Sequence, residues 1–275
     1  MDNLQHADEL IRKFQNTLAN PLPVKKGKKL YTGVDLGTAY IVLSVIDEDG
    51  IPVAGAMQFA QVVKDGIVVD YMGALDIVRE LKTELENRLE RELKIAGAAF
   101  PPGTEEGVQK TITYVVEGSG MEVVTMIDEP TAANNVLGVT DGAVVDIGGG
   151  TTGTAILKDG EVVYVADDPT GGTHLSLVIA GAYNITFEEA EKIKKDPEKQ
   201  KELLPVVKPV MQKMGSIIKK HIQDHDVDVI YLAGGTSCFP GIDKIIEKEV
   251  NIPVSIPVNP FLVTPLGIAL SVLGE

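Results

Sequence analysis

Two segments of the sequence place an aspartate between an apolar run and a turn rich in glycine and threonine. They are residues 33–38 (GVDLGT) and residues 145–152 (VDIGGGTT). A second apolar run follows each segment and ends in an Asp-Gly pair, 14 residues after Asp35 and 13 residues after Asp146. Since Asp-Gly pairs favour tight turns between strands, the sequence predicts two similar β-hairpins, each with a carboxylate at its root.

These residue types suit the binding of a polyphosphate. Glycine lets backbone N–H groups approach an anion without a side chain in the way, and threonine adds a hydroxyl donor. An aspartate repels a phosphate unless a divalent cation lies between them, so Asp35 and Asp146 predict Mg²⁺, bound directly or through its waters. The alternative is two ordinary hairpins, because aspartate and glycine are common turn residues.

The composition limits the classes of partner. The chain has 275 residues, of which 44% are hydrophobic, enough for one large domain or two modest ones. Its net charge of −15 argues against nucleic acid or another polyanionic partner. No apolar stretch reaches the roughly 20 residues that span a bilayer, so we expect no membrane span. The single cysteine, Cys238, fits a cytoplasmic protein and is expected to be a small buried residue.

Residues 1–29 are predicted to form a separable segment, an amphipathic helix over residues 1–20 followed by a linker. One face of the helix carries an apolar stripe, formed by Leu4, Ala7, Ile11, Phe14 and Leu18. The basic run at residues 25–29 is interpreted as a flexible, solvated linker. Two roles stay open for the helix: packing on the main body, or docking into the groove of a partner.

From Leu30 onward, strand-like and helical patterns alternate in both halves of the chain. Strands are predicted at about residues 30–35, 39–47, 51–59, 96–100, 121–127 and 227–233, with a second hairpin from Ala143. Helices are predicted at about residues 74–94, 187–195, 210–223, 240–249 and 263–273, and Pro205 and Pro209 are expected to interrupt the segment before 210. This alternation predicts an α/β protein with mixed sheets and an internal duplication.

Two histidines are a further candidate for chemistry. His221 and His225 are four residues apart on a predicted helix, a spacing at which they could share a metal. The glutamate of zinc-protease helices is absent, so a solvated helix end is the preferred interpretation.

Five motifs in one order resemble those of the superfamily that contains actin, the sugar kinases and the 70-kDa heat-shock chaperones. Residues 33–38 and 145–152 resemble its two phosphate loops. Residues 128–133 and 265–269 resemble its two connectors, and residues 232–236 resemble its adenosine loop. Within the superfamily, the chain is most similar to the chaperone-like proteins of ethanolamine-utilisation operons.

The resemblance implies an α/β, duplicated actin-like ATPase fold: two lobes, each with a mixed five-stranded sheet and flanking helices, and a nucleotide cleft between them. Residues 30–140 with 258–275 would form the first lobe, and residues 141–257 the second. ATP or ADP with Mg²⁺ would be the cofactors.

The resemblance also implies roles for individual residues. Asp35 and Asp146 would hold the metal and its waters. Glu129 would lie near the attacking water, and Glu129 or Asp146, the two catalytic candidates, would orient it. The phosphates would be contacted by Gly37, Thr38, Gly148, Gly149, Gly150 and Thr151. The nucleoside would be flanked by Gly234, Gly235 and Thr236. Glu191 and Lys194 would contact the adenosine, with a solvated helix face as their alternative.

Several departures from the superfamily bear on activity. Ala39 stands where the chaperones have a second threonine, and we match no lysine to the one they hold near the γ-phosphate. We also identify no arginine that would stabilise transition-state charge, a group worth about 10³ to 10⁵ in rate. The sequence is not expected to include a peptide-binding domain after the second connector. We therefore expect at most a slow Mg²⁺-dependent ATPase.

Three functions are compatible with these observations. The first is an ATP-dependent chaperone-like or assembly protein of ethanolamine utilisation, acting through lobe closure on enzymes or shell proteins of a bacterial microcompartment. The second is a nucleotide-bound scaffold or adaptor of the bacterial actin-related type without significant hydrolysis. The third is a small-molecule kinase, for which no further catalytic acid or acceptor pocket is found in the sequence.

Overall fold

The structure is a computed structural model that describes residues 2–25 and 27–274. Met1, Lys26 and Glu275, which belong to the predicted N-terminal segment and first lobe, lie outside the described residues. The strands are β1 Leu30–Leu36, β2 Tyr40–Asp47, β3 Pro52–Phe59, β4 Val63–Lys64, β5 Ile67–Val68, β6 Ile95–Phe100, β7 Glu122–Asp128, β8 Gly142–Ile147, β9 Thr152–Lys158, β10 Glu161–Asp168, β11 Ile230–Ala233 and β12 Val254–Ser255. The helices are α1 Asp2–Ala19, α2 Tyr71–Leu89, α3 Glu106–Gly118, α4 Glu129–Leu137, α5 Gly172–Tyr183, α6 Phe187–Lys195, α7 Pro197–Ile222, α8 Ile242–Val250 and α9 Val263–Ser271.

Two five-stranded sheets share one design. Their strand orders are β3-β2-β1-β6-β7 and β10-β9-β8-β11-β12. In each sheet the central strand is antiparallel to the hairpin strand on one side and parallel to the strand on the other. This arrangement confirms the predicted α/β fold with two mixed sheets, because corresponding strands occupy corresponding places.

Each sheet is covered by helices over its own apolar core. The first core includes Val34 and Leu81, and the second includes Val145 and Ile218, all at most 3% exposed. Strands β1, β2, β8 and β9 are buried along nearly their whole length. Continuous burial explains why these strands read as apolar runs rather than as alternating patterns.

The N-terminal helix packs on the body of the protein. Ala7, Ile11 and Phe14 are fully buried, and α1 contacts β3 and α4. A Cβ atom at Gly55 of β3 would lie 2.6 Å from the Phe14 ring, so only glycine allows the helix this close. Arg88 of α2 donates to Leu18 O at 2.7 Å and so satisfies a carbonyl at the end of α1. Of the two roles left open by the sequence, the structure therefore shows packing for the apolar stripe.

Helix α7 corrects one prediction. Pro205 and Pro209 were expected to interrupt the segment, yet α7 runs without a break from Pro197 to Ile222. Each proline removes one backbone donor, and burial of Leu203, Val207 and Met211 against the second core outweighs that loss. The predicted helix over residues 187–195 is present as α6 and begins with a capping box, in which the Thr186 hydroxyl accepts from Glu189 N and the Glu189 carboxylate accepts from Thr186 N.

Candidate nucleotide cleft

The two aspartates occupy the same position in the two sheets. Asp35 is the next-to-last residue of β1 and Asp146 is the next-to-last residue of β8. The backbone then turns through glycine and threonine and returns as β2 or β9, each antiparallel to its partner. The predicted pair of hairpins with a carboxylate at the root is thus present in the structure.

The two turns meet across a common space. A Cβ atom at Gly150 would lie 2.8 Å from Thr38 Oγ1, and one at Gly149 would lie 3.2 Å from Thr38 Cβ. Any larger residue in the second turn would push the first turn away, so glycine is needed here for close approach. Both turns open onto a cavity of about 460 Å³.

The cavity brings together the residues nominated from the sequence. Its lining includes Asp35, Gly37, Thr38, Glu129, Asp146, Gly148, Gly149, Gly150, Thr151, Glu191, Lys194, Gly234, Gly235 and Thr236. They come from both sheets, from α4 and α6, and from the turn after β11, so they are distant in sequence and close in space.

Buried carboxylates dominate the electrostatics of the cavity. Burial, and then the neighbouring Asp146, raise the pKa of Asp35 to about 7. Burial raises the pKa of Asp146 to about 6, although Thr264 opposes the shift by donating its hydroxyl to the carboxylate. Burial, followed by the charges of Asp146 and Asp35, raises the pKa of Glu129 well above its usual value. A divalent cation among these groups would relieve their repulsion.

Asp167 is a carboxylate of this cluster that sequence reasoning missed. It lies on β10 opposite Gly153 of β9, and its Oδ1 atom is buried without a hydrogen-bond partner. Burial, together with the charge of Asp146, raises the pKa of Asp167 to about 7, while a hydrogen bond from the Thr151 hydroxyl partly opposes the shift. The available signal was its place near the end of the apolar run that follows the Asp159-Gly160 turn.

Helix α6 supplies an ion-pair group to the cavity. Glu191 is 5% exposed and accepts hydrogen bonds from Ser176 and Lys194. Lys194 also donates to Gly172 O at 3.0 Å. Burial opposes ionisation of Glu191, but Lys194, Ser176 and Lys195 hold its pKa below the usual value. These two nominated residues thus line the cavity as a buried pair rather than as a solvated helix face.

Lys195 joins the two halves of the structure at the cavity rim. Its Nζ atom lies 3.1 Å from Glu191 Oε2 and donates to the Tyr40 hydroxyl at 3.2 Å. The same ammonium lies 4.4 Å from the centroid of the Phe59 ring, within the range of a cation–π contact. One side chain of α6 therefore holds residues of β2 and β3 across the opening.

The turn after β11 is tied to the second glycine turn. Gly234 adopts a φ of +84° and donates its N–H to Pro260 O at 2.9 Å. Thr236 donates its hydroxyl to Gly148 O at 2.7 Å. The Phe261 ring lies 3.1 Å from where a Cβ atom of Gly235 would be. Residues 234–236 thus form one wall of the cavity and are held by one main-chain hydrogen bond, by the Thr236 hydroxyl and by the Phe261 ring.

Two residues outside the nominated set lie differently from their predictions. Cys238 was expected to be buried, but it is exposed and lines the cavity. His221 was expected at a solvated helix end, but it is 5% exposed. Its ring nitrogens lie 2.9 Å from Thr154 Oγ1 and 2.9 Å from Asp168 Oδ2, because α7 packs its last turn on β9 and β10. In the described part of the chain, no three His, Cys, Asp or Glu side chains are grouped to ligate a metal directly.

Comparison with known proteins decides the family. The ethanolamine utilization protein EutJ of Escherichia coli K12 is 43% identical over 256 residues, which cover 93% of this chain and 90% of that protein. The crystal structure of EutJ from Carboxydothermus hydrogenoformans superposes with a TM-score of 0.90 at 48% identity, covering 98% of this chain and 99% of that one. The chain belongs to the EutJ family.

Wider similarity connects the EutJ family to other actin-like proteins. The family model described as type IV pilus assembly protein PilM matches residues 119–269. A PilM–PilN type IV pilus biogenesis complex has a TM-score of 0.72 at 14% identity, covering 88% of this chain and 98% of that chain. MreB5 of Spiroplasma citri bound to AMPPNP has a TM-score of 0.71 at 18% identity, covering 87% of this chain and 94% of that chain. These neighbours confirm the predicted duplicated actin-like ATPase fold.

Among residues 2–25 and 27–274, no helix is both long enough and apolar enough to cross a bilayer.

Proposed function

We propose that this protein is an ATP-binding, chaperone-like or assembly protein of ethanolamine utilisation, whose lobes close on ATP and Mg²⁺. The observation that carries the proposal is the one cavity onto which both glycine turns, Asp35 and Asp146 open. The EutJ relatives are named for ethanolamine utilisation, which supports the biological setting. The AMPPNP-bound structure of MreB5 supports the cleft as the nucleotide site.

The residues of the cavity fit a cation with a triphosphate. Mg²⁺ takes oxygen ligands and is usually bound by one or two carboxylates together with waters and substrate phosphates. Asp35 and Asp146 would supply those carboxylates. Phosphate oxygens and water would supply the remaining ligands. Mg²⁺ would neutralise charge on the leaving phosphate.

The chain's own groups would perform the remaining tasks. Backbone N–H groups of the two glycine turns, with Thr38 and Thr151, would hold the phosphates. Glu129 and Asp146 would orient the attacking water, while Glu191 and Lys194 would contact the nucleoside. A ligand that contacts both glycine turns binds the closed cleft better than the open one, so it shifts the protein toward closure.

Titration calorimetry of the full chain with ATP and Mg²⁺ tests the proposal. We expect Asp35→Ala and Asp146→Ala each to weaken Mg²⁺-dependent ATP affinity at least about tenfold, or about 1.4 kcal/mol. Asp76→Ala is the matched control, because its side chain is 60% exposed on α2 and outside the cavity. Unchanged affinity in both cleft variants would refute the proposed site.

An adaptor that binds nucleotide without significant hydrolysis is the second candidate. The match to the PilM family model supports it. The solved structure of a PilM–PilN complex also supports it, because PilM is bound there to a protein partner. Among the described residues, the cavity lining includes Lys194 and Lys195 but no arginine. A cleft without an arginine lacks a group that accelerates phosphoryl transfer by about 10³ to 10⁵.

Phosphate release distinguishes the candidates. Release stimulated by microcompartment enzymes or shell proteins supports the assembly protein, which would act in the cytoplasm. Tight ATP binding without phosphate release, with or without those proteins, supports the adaptor. ADP formation that depends on a small acceptor would support a kinase instead.

A further inference from the structure

The outer strand of the second sheet, β10, carries exposed apolar residues and ends the sheet in the described chain, although His225 contacts Tyr164 and His221 contacts Asp168. It pairs with β9 on one side and stands at the end of the sheet in the described chain. Four consecutive apolar residues, Val162, Val163, Tyr164 and Val165, are 38%, 53%, 37% and 38% exposed. An exposed apolar edge strand offers unpaired N–H and C=O groups, which other proteins cover or interrupt with charge.

The corresponding strand of the first sheet shows how the fold covers such an edge. Strand β3 is also an outer strand, but its residues from Pro52 to Ala56 are buried. Helices α1 and α2 pack on it, and Phe14 reaches Gly55. The same position in the duplicated design is thus covered in one sheet and open in the other.

The surroundings of β10 are acidic. Glu161 begins the strand and Asp167 and Asp168 end it. Beside its second half is a separate cavity of about 240 Å³, lined by Tyr164, Asp168, His221, Asp224 and His225 among others. Its lining includes the carboxylate of Asp224 and that of Asp168, which already contacts His221 and Lys220. Asp167 also borders it, but its carboxylate belongs to the cluster around Asp146. A basic side chain placed in this cavity would find Asp224 as its complementary charge.

We propose that the free edge of β10 binds an extended, apolar segment of a partner protein as an added strand, with an arginine or lysine of that segment in the cavity. Main-chain hydrogen bonds to β10 would give affinity, and the acidic cavity would give selectivity. Tyr164, Ala166 and Asp168 alternate along the strand and line the cavity, so a paired strand would direct every second side chain toward it. This interaction does not require nucleotide in the cleft.

A second copy of the chain is a poorer occupant of the same edge. Antiparallel pairing of two β10 strands would place Glu161 of each copy near the Asp167 and Asp168 end of the other. Like charges placed opposite each other destabilise a strand pair. Each copy also carries a net charge of −15, which opposes association.

Fluorescence anisotropy with the full chain and a labelled peptide tests the inference. The probe is a peptide of alternating valine and threonine flanked by arginines. One control peptide has glutamates in place of the arginines, and another has a central proline that removes a strand donor. Val165→Lys adds charge to the edge, and Val258→Lys is its matched control, since Val258 is 39% exposed and lies outside β10.

We expect saturable binding of the arginine-flanked peptide, weakened at least about tenfold in Val165→Lys and unchanged in Val258→Lys. Both control peptides are expected to bind at least about tenfold more weakly. The inference is overturned if the arginine peptide does not bind, if the proline peptide binds equally well, or if Val165→Lys has no effect. It is also overturned if the native protein is a dimer that Val165→Lys dissociates, because a second copy would then occupy the edge.

Discussion

At the residue scale, the cleft is defined by carboxylates that burial and mutual repulsion make unusually basic. Asp35, Asp146 and Asp167 have pKa values raised to about 7, 6 and 7. A raised pKa means that the folded chain binds these protons more tightly than the unfolded chain does. Their contribution to stability is therefore complete below about pH 4 and is lost as the pH rises through about 6 to 7.

This relation predicts how a cation-free protein responds to pH and to loss of one charge. Asp167→Asn removes a carboxylate while keeping its shape, so at about pH 8 it should raise the melting temperature. At about pH 5, where Asp167 holds its proton, the change should be near zero. Differential scanning calorimetry at both values measures it, with the exposed Asp76→Asn as the control. A lower melting temperature at about pH 8 would show that Asp167 has a favourable partner.

At the element scale, helix α6 joins the cavity to its rim. Glu191, Lys194 and Lys195 lie three and four positions apart, which puts them on one face of the helix. That face contacts Gly172 of the second half and Tyr40 of the first. The proposed closure of the cleft around a ligand would therefore depend in part on one short helix.

We predict that Lys195→Ala speeds the release of nucleotide. The substitution removes the contacts with Tyr40 and Phe59, which together are worth about 1 kcal/mol at a partly exposed site. Dissociation of a fluorescent ADP analogue, followed by stopped flow, should be about fivefold faster. Lys192→Ala on the exposed face of α6 is the control. An unchanged dissociation rate would show that the rim contact does not restrain the ligand.

The N-terminal helix leads to a prediction about stability. Phe14 is fully buried between α1 and β3, so Phe14→Ala should lower the free energy of unfolding by about 3 to 5 kcal/mol. Urea unfolding measures the change, and Glu9→Ala on the exposed side of α1 serves as the control. A loss below about 1 kcal/mol would mean that α1 separates readily from the body, as a docking element would.

At the scale of the whole molecule, helices α4 and α9 connect the two sheets, since α4 contacts β8 and β9 of the second sheet and α9 contacts β1 and β2 of the first. These helices carry the motifs that resemble the two connectors, and they contact each other. Gly267 of α9 faces the backbone of Ala132, where no larger side chain fits. We propose residues 30–140 with 258–275 as one lobe and residues 141–257 as the other, with this crossing as the pivot between them.

Closure about that pivot predicts a change in overall shape. Small-angle X-ray scattering should show a smaller radius of gyration with Mg²⁺ and a non-hydrolysable ATP analogue than without them. The double variant Asp35→Ala, Asp146→Ala should show no change, because the ligand can no longer bridge the two glycine turns. An equal radius in both states of the native protein would argue against closure as the output.

Local sequence patterns were sufficient to predict most helices and strands and the duplicated design. Glycine turns after apolar runs, the Asp-Gly pairs and the capping box at Thr186 act through neighbouring backbone, so their consequences follow from short segments. The nominated residues of the cleft could be found for the same reason, since each belongs to a local motif. The resemblance of these motifs to one superfamily then predicted that they lie together around a single cleft.

The features that the sequence did not predict depend on contacts between distant segments. Pro205 and Pro209 lie within one helix because the core of the second sheet holds α7. His221 is buried because α7 packs on β9 and β10, and Asp167 joins the cluster because strand pairing places it beside Gly153. The exposure of β10 could likewise not be predicted from its valines, because a buried strand has the same apolar pattern. Burial and charge environment are properties of the neighbours that folding provides, and local sequence does not contain them.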